Sequence, residues 1–181
     1  ERFAGALYST TIESFMPDGK ALQCGTSHNL GQNFAKAFDI KFMGKDEEEH
    51  HAWTTSWGIS TRLIGAMVMM HGDDKGLVLP PRIAPIQAVI VPIIIGDKVS
   101  DKEKIFAGAK KVAASLSDLD VVLDDRDEYT PGWKYADWEM RGVPVRIEIG
   151  PKDVEKDQVV LVRRDTGEKK FVRTNEAKQA V

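Results

Sequence analysis

Four prolines, at positions 80, 81, 85 and 92, fall within the stretch from Leu77 to Pro92. Each lacks a backbone N–H donor and pushes its predecessor away from helical geometry, so this stretch disfavours a continuous helix and reads as a seam. The seam is placed at about residue 85, giving segments 1–84 and 85–181. A chain of 181 residues that is 42% hydrophobic can bury a core in one domain or in two small ones.

Downstream of the seam, strand and helix patterns alternate. Ile86 to Ile95 is a continuous apolar run, as expected of a strand covered on both faces, with Gly96-Asp97 closing it. Ser100 and Glu103 have capping-box spacing, and Ile105, Ala109, Val112, Ala113 and Leu116 fall on one helical stripe. Leu119–Leu123 reads as a second strand, followed by a polar loop and a short helix over Tyr135–Met140. From Val143 to Ile149 residues alternate with period two, so Arg146 and Glu148 share one face while Val145, Ile147 and Ile149 share the other. Gln158–Arg164 and Lys169–Val172 flank the turn signal Asp165-Thr166-Gly167-Glu168. A mixed α/β sandwich follows.

Upstream, Thr10–Met16 and Ala21–Cys24 read as strands around the turn Pro17-Asp18-Gly19-Lys20. Asn33–Phe38 reads as helix, Ile40–Met43 as a short strand, and Trp53–Ile59 as a strand feeding a helix that begins at Arg62. This half is expected to be antiparallel and strand-rich.

The longest apolar candidate, the helix after Arg62, stops at His71-Gly72-Asp73-Asp74, short of the roughly 20 residues a membrane span needs. No secretion leader is read, and the single Cys24 excludes an internal disulfide and points to a reducing compartment, hence a cytoplasmic location. A net charge of −3 argues against broad polyanion binding, while a local basic patch can still hold a nucleic acid.

Arg62 sits at the end of its helix where partial positive charge and free N–H groups accumulate. An arginine is uncomfortable there unless an anion is shared with it, and the natural anion is a phosphate.

The string Ala21-Leu22-Gln23-Cys24-Gly25-Thr26-Ser27-His28-Asn29-Leu30-Gly31-Gln32-Asn33-Phe34, then Trp57-Gly58-Ile59-Ser60-Thr61-Arg62, then His71-Gly72-Asp73-Asp74-Lys75-Gly76, closely resembles the prolyl-tRNA synthetase family of the archaeal and eukaryotic-like type. The likeness continues through Gly132-Trp133-Lys134-Tyr135 and Arg146-Ile147-Glu148-Ile149-Gly150-Pro151-Lys152-Asp153, which look like that family's anticodon-binding domain. The resemblance implies that 1–84 is the downstream portion of a class II catalytic domain, built on an antiparallel sheet, and that 85–181 is a mixed-sheet α/β anticodon-binding domain. It also implies that the first two class II motifs and much of the proline pocket lie outside these residues, so that the chain is a fragment, inactive alone.

The implied reaction activates proline with ATP, accompanied by Mg²⁺, to a prolyl-adenylate and transfers prolyl to tRNA(Pro). Fixed cations and oriented donors stabilise the charge that develops. By resemblance, Arg62 holds the far phosphates of ATP, where its planar fork offers paired contacts that a lysine cannot. Ser60, beside it, belongs to the same binding set. Gln23 and Thr26 are expected near the nucleotide and His28 near the acyl end, with Glu13 as a further wall. Tyr129–Trp133 reads as an aromatic-containing loop. Around it, Arg126, Glu128, Lys134, Arg146, Glu148 and Lys152 are candidate readers of anticodon bases, which are splayed and suit aromatic stacking and charged side chains. A homodimer is expected by the same likeness, with no DNA or membrane partner.

No protein-held metal is expected. His50-His51 beside Glu47-Glu48-Glu49 reads as a solvated loop, Asp73-Asp74 as a glycine-flanked turn, Cys24 as packing, and Met67, Met69 and Met70 as helix core. The alternative function is a noncatalytic tRNA-binding fragment or scaffold.

Overall fold

The computed structural model describes residues 3–94 and 99–181, and it separates into two compact units, Glu1–Met70 and His71–Val181. The turn expected at Gly96-Asp97 and the cap expected of Ser100 lie outside the described residues and side chains.

In the first unit the order is β1 (Tyr8–Phe15), β2 (Ala21–Gly31), α1 (Asn33–Ala37), β3 (Lys41–Met43), β4 (Glu49–His51), β5 (Thr54–Ile59) and α2 (Arg62–His71), whose last residue falls in the second unit. An antiparallel sheet runs β1-β2-β5. Its first hairpin closes where expected: Met16 N–H donates to Lys20 O at 2.8 Å, and Gly19 takes φ +80°, which a side chain would oppose. β2 is far longer than the Ala21–Cys24 strand read from sequence. Its polar continuation is held as strand because β1 pairs on one side and β5 on the other, with Thr26 opposite Thr11 and Gly58, and His28 opposite Ser9 and Ser56. From Gly25 to Asn29 both neighbours supply ladder partners, which apolar patterning does not report.

Two expectations fail here. The solvated loop expected over Glu47–His51 is one only at Glu47 and Glu48, which lie in an exposed turn where Gly44 N–H donates to Glu48 O at 2.8 Å and Glu47 has φ +64°, while Glu49–His51 forms β4 and pairs with β3. The methionines of α2 are not core. Only Ala66 of that helix is buried, and Met69 is 51% exposed. A three-stranded sheet and short helices leave too little apolar surface to cover them. Trp57, Ile59, Ile12 and Phe15 are exposed for the same reason.

The second unit contains β6 (Ala88–Pro92), α3 (Val99–Ser115), β7 (Val121–Leu123), α4 (Pro131–Met140), β8 (Val145–Ile149), α5 (Pro151–Glu155), β9 (Gln158–Arg163), β10 (Lys169–Arg173) and α6 (Ala177–Ala180). Its five-stranded sheet runs β10-β9-β8-β6-β7 and is mixed, since β6 is parallel to β7 and β8 while β8 and β9 are antiparallel. β6 is buried throughout, as its unbroken apolar run demands. On one face the α3 stripe, Ile105, Ala109, Val112 and Leu116, packs with Ile90, Ile147, Ile149 and Leu161. On the other face Trp138 of α4 packs with Val89, Val91 and Val143.

α4 begins at Pro131, not Tyr135, so Pro131–Trp133 forms a first helical turn where a loop was expected. Thr130 Oγ1 accepts the Trp133 N–H at 3.3 Å and Pro131 supplies a preset φ, a start signal present in the sequence. α5 was not anticipated. Its N-terminus is held by Asp153, whose carboxylate accepts the Gly150 N–H at 3.0 Å.

Residues 71–84 pack with the second unit, so the division by packing lies upstream of the proline seam. Leu77 N–H donates to Met140 O at 3.0 Å and Leu79 N–H to Gly142 O at 3.3 Å. Gly76 (φ +128°) and Gly142 (φ +75°) permit this approach: a Cβ on either would come within 2.5–2.6 Å of backbone or Cβ atoms of Met140 or Leu77. The turn expected at Asp73-Asp74 is present, with Asp73 and Gly76 exchanging two backbone hydrogen bonds of 3.0 Å. Asp73 also clamps the buried Arg164, at 2.6 and 2.7 Å.

Candidate functional site

In the first unit, β2, β5 and the start of α2 form an open cleft of about 380 Å³ lined by Gln23, Cys24, Gly25, Thr26, His28, Ser56, Trp57, Gly58, Ile59, Ser60 and Arg62. Of the residues assigned from sequence to the ATP and proline pocket, Gln23, Thr26, His28, Ser60 and Arg62 are on that wall and Glu13 is not. Arg62 Nη1 donates to Gln23 Oε1 at 3.3 Å, and among the described residues its guanidinium has no carboxylate partner. Ser60 Oγ accepts the Arg62 N–H at 3.3 Å, fixing the first turn of α2. A cation, a helix start and side-chain amide and hydroxyl groups facing one space are the groups that chemistry uses to hold a phosphate.

His28 contributes from the next ladder position. Its Nδ1 lies 2.7 Å from Ser9 Oγ, and its ring stacks on Phe3 with centroids 4.7 Å apart. Sequence reasoning missed Ser9, Ser56 and Trp57, because only the β1-β2-β5 register makes them neighbours, and Phe3, which precedes β1 and reaches the site by stacking on His28. Glu13 is exposed, accepts from Thr11 Oγ1 at 3.3 Å, and is not part of the cleft lining. Cys24 is half-buried, with Sγ donating to Leu22 O at 3.5 Å. At the β3–β4 turn, Asp46, Glu48 and His50 bring ligand atoms within 4.8 Å of one another, but His50 Nε2 is held by both Asp46 oxygens, at 3.0 and 2.8 Å, as in an exposed ion pair.

In the second unit the charged candidates divide into two networks on the α4 side of the sheet. The first is centred on Asp124, directly after β7 and 2% exposed. It accepts from Arg126 Nε and Nη2 at 2.9 and 2.7 Å and from Trp138 Nε1 at 2.7 Å, while the buried Lys134 donates to its backbone carbonyl at 3.1 Å. Arg126 also donates to Asp137 at 3.0 Å. Burial pushes the Asp124 carboxyl up, but the bonds from Arg126 and Trp138 and the Lys134 charge outweigh it and hold it at about 2. The same bond to Asp124 raises the Arg126 pKa further. Tyr129 and Trp133 stack 3.9 Å apart at 12°, each 5.3 Å from the Arg126 guanidinium carbon, and both are partly exposed.

The second network uses the β8 face foreseen for Arg146 and Glu148. Arg146 Nε donates to Glu148 Oε1 at 3.0 Å, its Nη1 donates to Glu139 at 2.8 Å, and its guanidinium lies 4.1 Å over the Tyr135 ring. Burial, with the Glu148 charge second, pushes the Tyr135 hydroxyl up to about 12. Lys134, Arg146 and Glu148 are therefore buried in ion pairs, Arg126 is half-buried, and Glu128 and Lys152 are exposed, without ion-pair partners among the described residues. Asp124, the hub, was passed over although a carboxylate at the C-terminal end of a strand parallel to its neighbour is a recurrent site position.

Residues 87–181 match the anticodon binding domain family. The chain is 58% identical over 177 residues to the proline–tRNA ligase of Natranaerobius thermophilus, covering 97% of this chain and 36% of that protein. It is 56% identical over 174 residues to the proline–tRNA ligase of Cenarchaeum symbiosum, covering 95% and 36%. It superimposes with a TM-score of 0.94 and 44% identity on prolyl-tRNA synthetase from Cryptosporidium parvum in a crystal structure complexed with L-proline and AMP, covering 99% of this chain and 39% of that one. The chain thus spans little more than a third of the length of the relatives it matches. No helix among the described residues is long and apolar enough to cross a membrane. The chain belongs to the anticodon binding domain family, in the form carried by proline–tRNA ligases.

Proposed function

We propose that this chain is the downstream catalytic portion (1–84) and the anticodon-binding domain (85–181) of a proline–tRNA ligase of the archaeal and eukaryotic-like type, which joins proline to tRNA(Pro) through a prolyl-adenylate. The observation that carries the proposal is the convergence of Gln23, Thr26, His28, Ser60 and Arg62 on one cleft, in a chain similar along almost its whole length to proline–tRNA ligases. In this reading Arg62 draws charge from the outer phosphates of MgATP as pyrophosphate leaves, Gln23 and Thr26 orient the adenosine, and His28 faces the acyl end. The protein acts at the length of its relatives, as a cytoplasmic homodimer.

The second unit reads the guanines of the proline anticodon. The partly exposed Tyr129–Trp133 stack offers a surface to an unpaired base, Arg126 lies 5.3 Å from both rings, and Glu128 and Lys152 are exposed charges available to the same RNA; Lys134 holds Asp124, the partner of Arg126, while Arg146 and Glu148 pair with each other beside Tyr135.

The test has two arms. Proline-dependent ATP–pyrophosphate exchange is expected from the protein at the length of its relatives and not from these 181 residues alone; its absence from the longer protein overturns the ligase reading and leaves a binding scaffold. Fluorescence anisotropy of the 181-residue chain with a proline anticodon stem-loop is expected to show at least about tenfold tighter binding, about 1.4 kcal/mol, than with a loop whose anticodon guanines are replaced by adenines. Equal binding rejects anticodon reading.

A further inference from the structure

Ser9 lies on β1 directly across the ladder from His28 on β2 and touches the ring nitrogen that faces away from any ligand role, Nδ1, at 2.7 Å. Nε2 is left without a protein hydrogen-bond partner among the described residues, on a side chain that lines the cleft. Phe3 stacks on the same ring, tilted by 29°, and its N–H donates to Ser9 Oγ at 3.4 Å. The imidazole is thus held in its plane by an aromatic face and in its rotation by a hydroxyl.

The hydrogen-bond inventory then selects a tautomer. A serine hydroxyl has one proton to give, and a neutral imidazole has one N–H and one lone pair. Ser9 Oγ already receives the Phe3 N–H, and among the described residues the acceptor within its reach is His28 Nδ1. Were Nδ1 to carry the proton, the serine O–H would have no protein acceptor. With the serine donating, the hydroxyl proton and the Nδ1 lone pair satisfy each other, and the imidazole proton resides on Nε2, where it is open to a ligand.

We infer that Ser9 is a positioning residue that fixes His28 as its Nε2–H tautomer, so that the cleft presents a hydrogen-bond donor at that end. A donor there suits an acyl or carboxylate oxygen of the ligand and disfavours a protonated amine, which sets the direction in which an amino acid enters. The identity of that ligand rests on the proline–tRNA ligase reading; the tautomer is a property of the free chain.

The experiment is a long-range ¹H–¹⁵N correlation spectrum of the imidazoles of the ¹⁵N-labelled 181-residue chain, at a pH well above the range in which histidines titrate. His28→Gln identifies the resonances by deleting them. The wild type is expected to show Nδ1 as acceptor and Nε2 as protonated. Ser9→Ala is expected to move both shifts toward a tautomer mixture, and Ser9→Thr, which keeps the hydroxyl, to restore them. A wild-type spectrum with the proton on Nδ1, or a Ser9→Ala spectrum with unchanged tautomer shifts, overturns the inference. The wild-type measurement needs no variant, so it decides the matter even if Ser9→Ala fails to fold. Failure of the ligase reading would show instead as absent pyrophosphate exchange and would leave this spectrum untouched.

Discussion

Arg62 Nη1 stands 3.3 Å from Gln23 Oε1, across 39 residues of sequence, with no carboxylate to neutralise it among the described residues. A guanidinium held by a neutral amide is oriented without being discharged, so it keeps its full attraction for an incoming phosphate. In the protein at the length of its relatives, Arg62→Ala is expected to slow adenylate formation by the roughly 2.7–4 kcal/mol typical of a lost charge-stabilising donor, read by pyrophosphate exchange. Arg62→Lys should recover only part of this, because a point charge lacks the fork. Wild-type exchange in Arg62→Ala would remove this residue from the mechanism.

The Asp124 network predicts an acid limit for the second unit. The carboxyl is at about 2 when folded, against 3.8 for a free side chain. A depressed folded pKa means the unfolded chain binds the proton first, so the stabilisation is complete above about pH 4 and is lost as pH falls toward about 2. Chemical denaturation followed by tryptophan fluorescence, repeated across that window, should show the loss. Asp124→Asn should be less stable at neutral pH and should flatten the slope. An unchanged slope would show that other carboxylates set the acid limit.

The Asp73–Arg164 clamp is asymmetric, since Arg164 is 3% exposed in its side chain and Asp73 is 44% exposed. Removing the carboxylate strands a buried guanidinium, whereas removing the guanidinium leaves an aspartate that water can reach. Asp73→Ala is therefore expected to lower the thermal midpoint of the second unit more than Arg164→Met does. Equal losses would mean that the clamp's contribution lies in packing.

Core truncation should separate the two units. Ile147 is fully buried between α3 and the sheet, and Ile147→Ala is expected to cost about 2–5 kcal/mol. By contrast the buried apolar side chains of the first unit among the described residues are Ala6, Met16, Ala35 and Ala66. Native-state hydrogen exchange should find β6, β8 and β9 protected well beyond β1, β2 and β5. Comparable protection in both sheets would contradict this ranking.

Much of this fold was legible in the sequence, and the failures share a cause. The α3 stripe, the β8 alternation and the β9–β10 turn were read correctly because each is a local period that burial enforces. The polar half of β2 and the β4 strand were missed because their partners, β5 and β3, are remote or separated by a turn, and ladder pairing leaves no apolar trace. The α2 methionines were read as core because periodicity reports that a face is apolar and not whether anything covers it. At the cleft, family likeness pointed to Gln23, Thr26, His28 and Arg62, but Ser9 stands behind His28 through register and Phe3 through a ring stack from the segment before β1. In the second unit residue type suggested contact for Lys134, Arg146 and Glu148, whose charges are turned inward onto each other and onto Asp124 and Glu139.

β8 carries Arg146 and Glu148 on one side and Ile147 and Ile149 on the other. Slipping the strand by a single residue would drive two charges into oil and strand two isoleucines among carboxylates, so no half-right alignment is tolerated. The strand works as its own proofreader: a chain that has buried its greasy core has, by the same act, set the charged rim at the correct height.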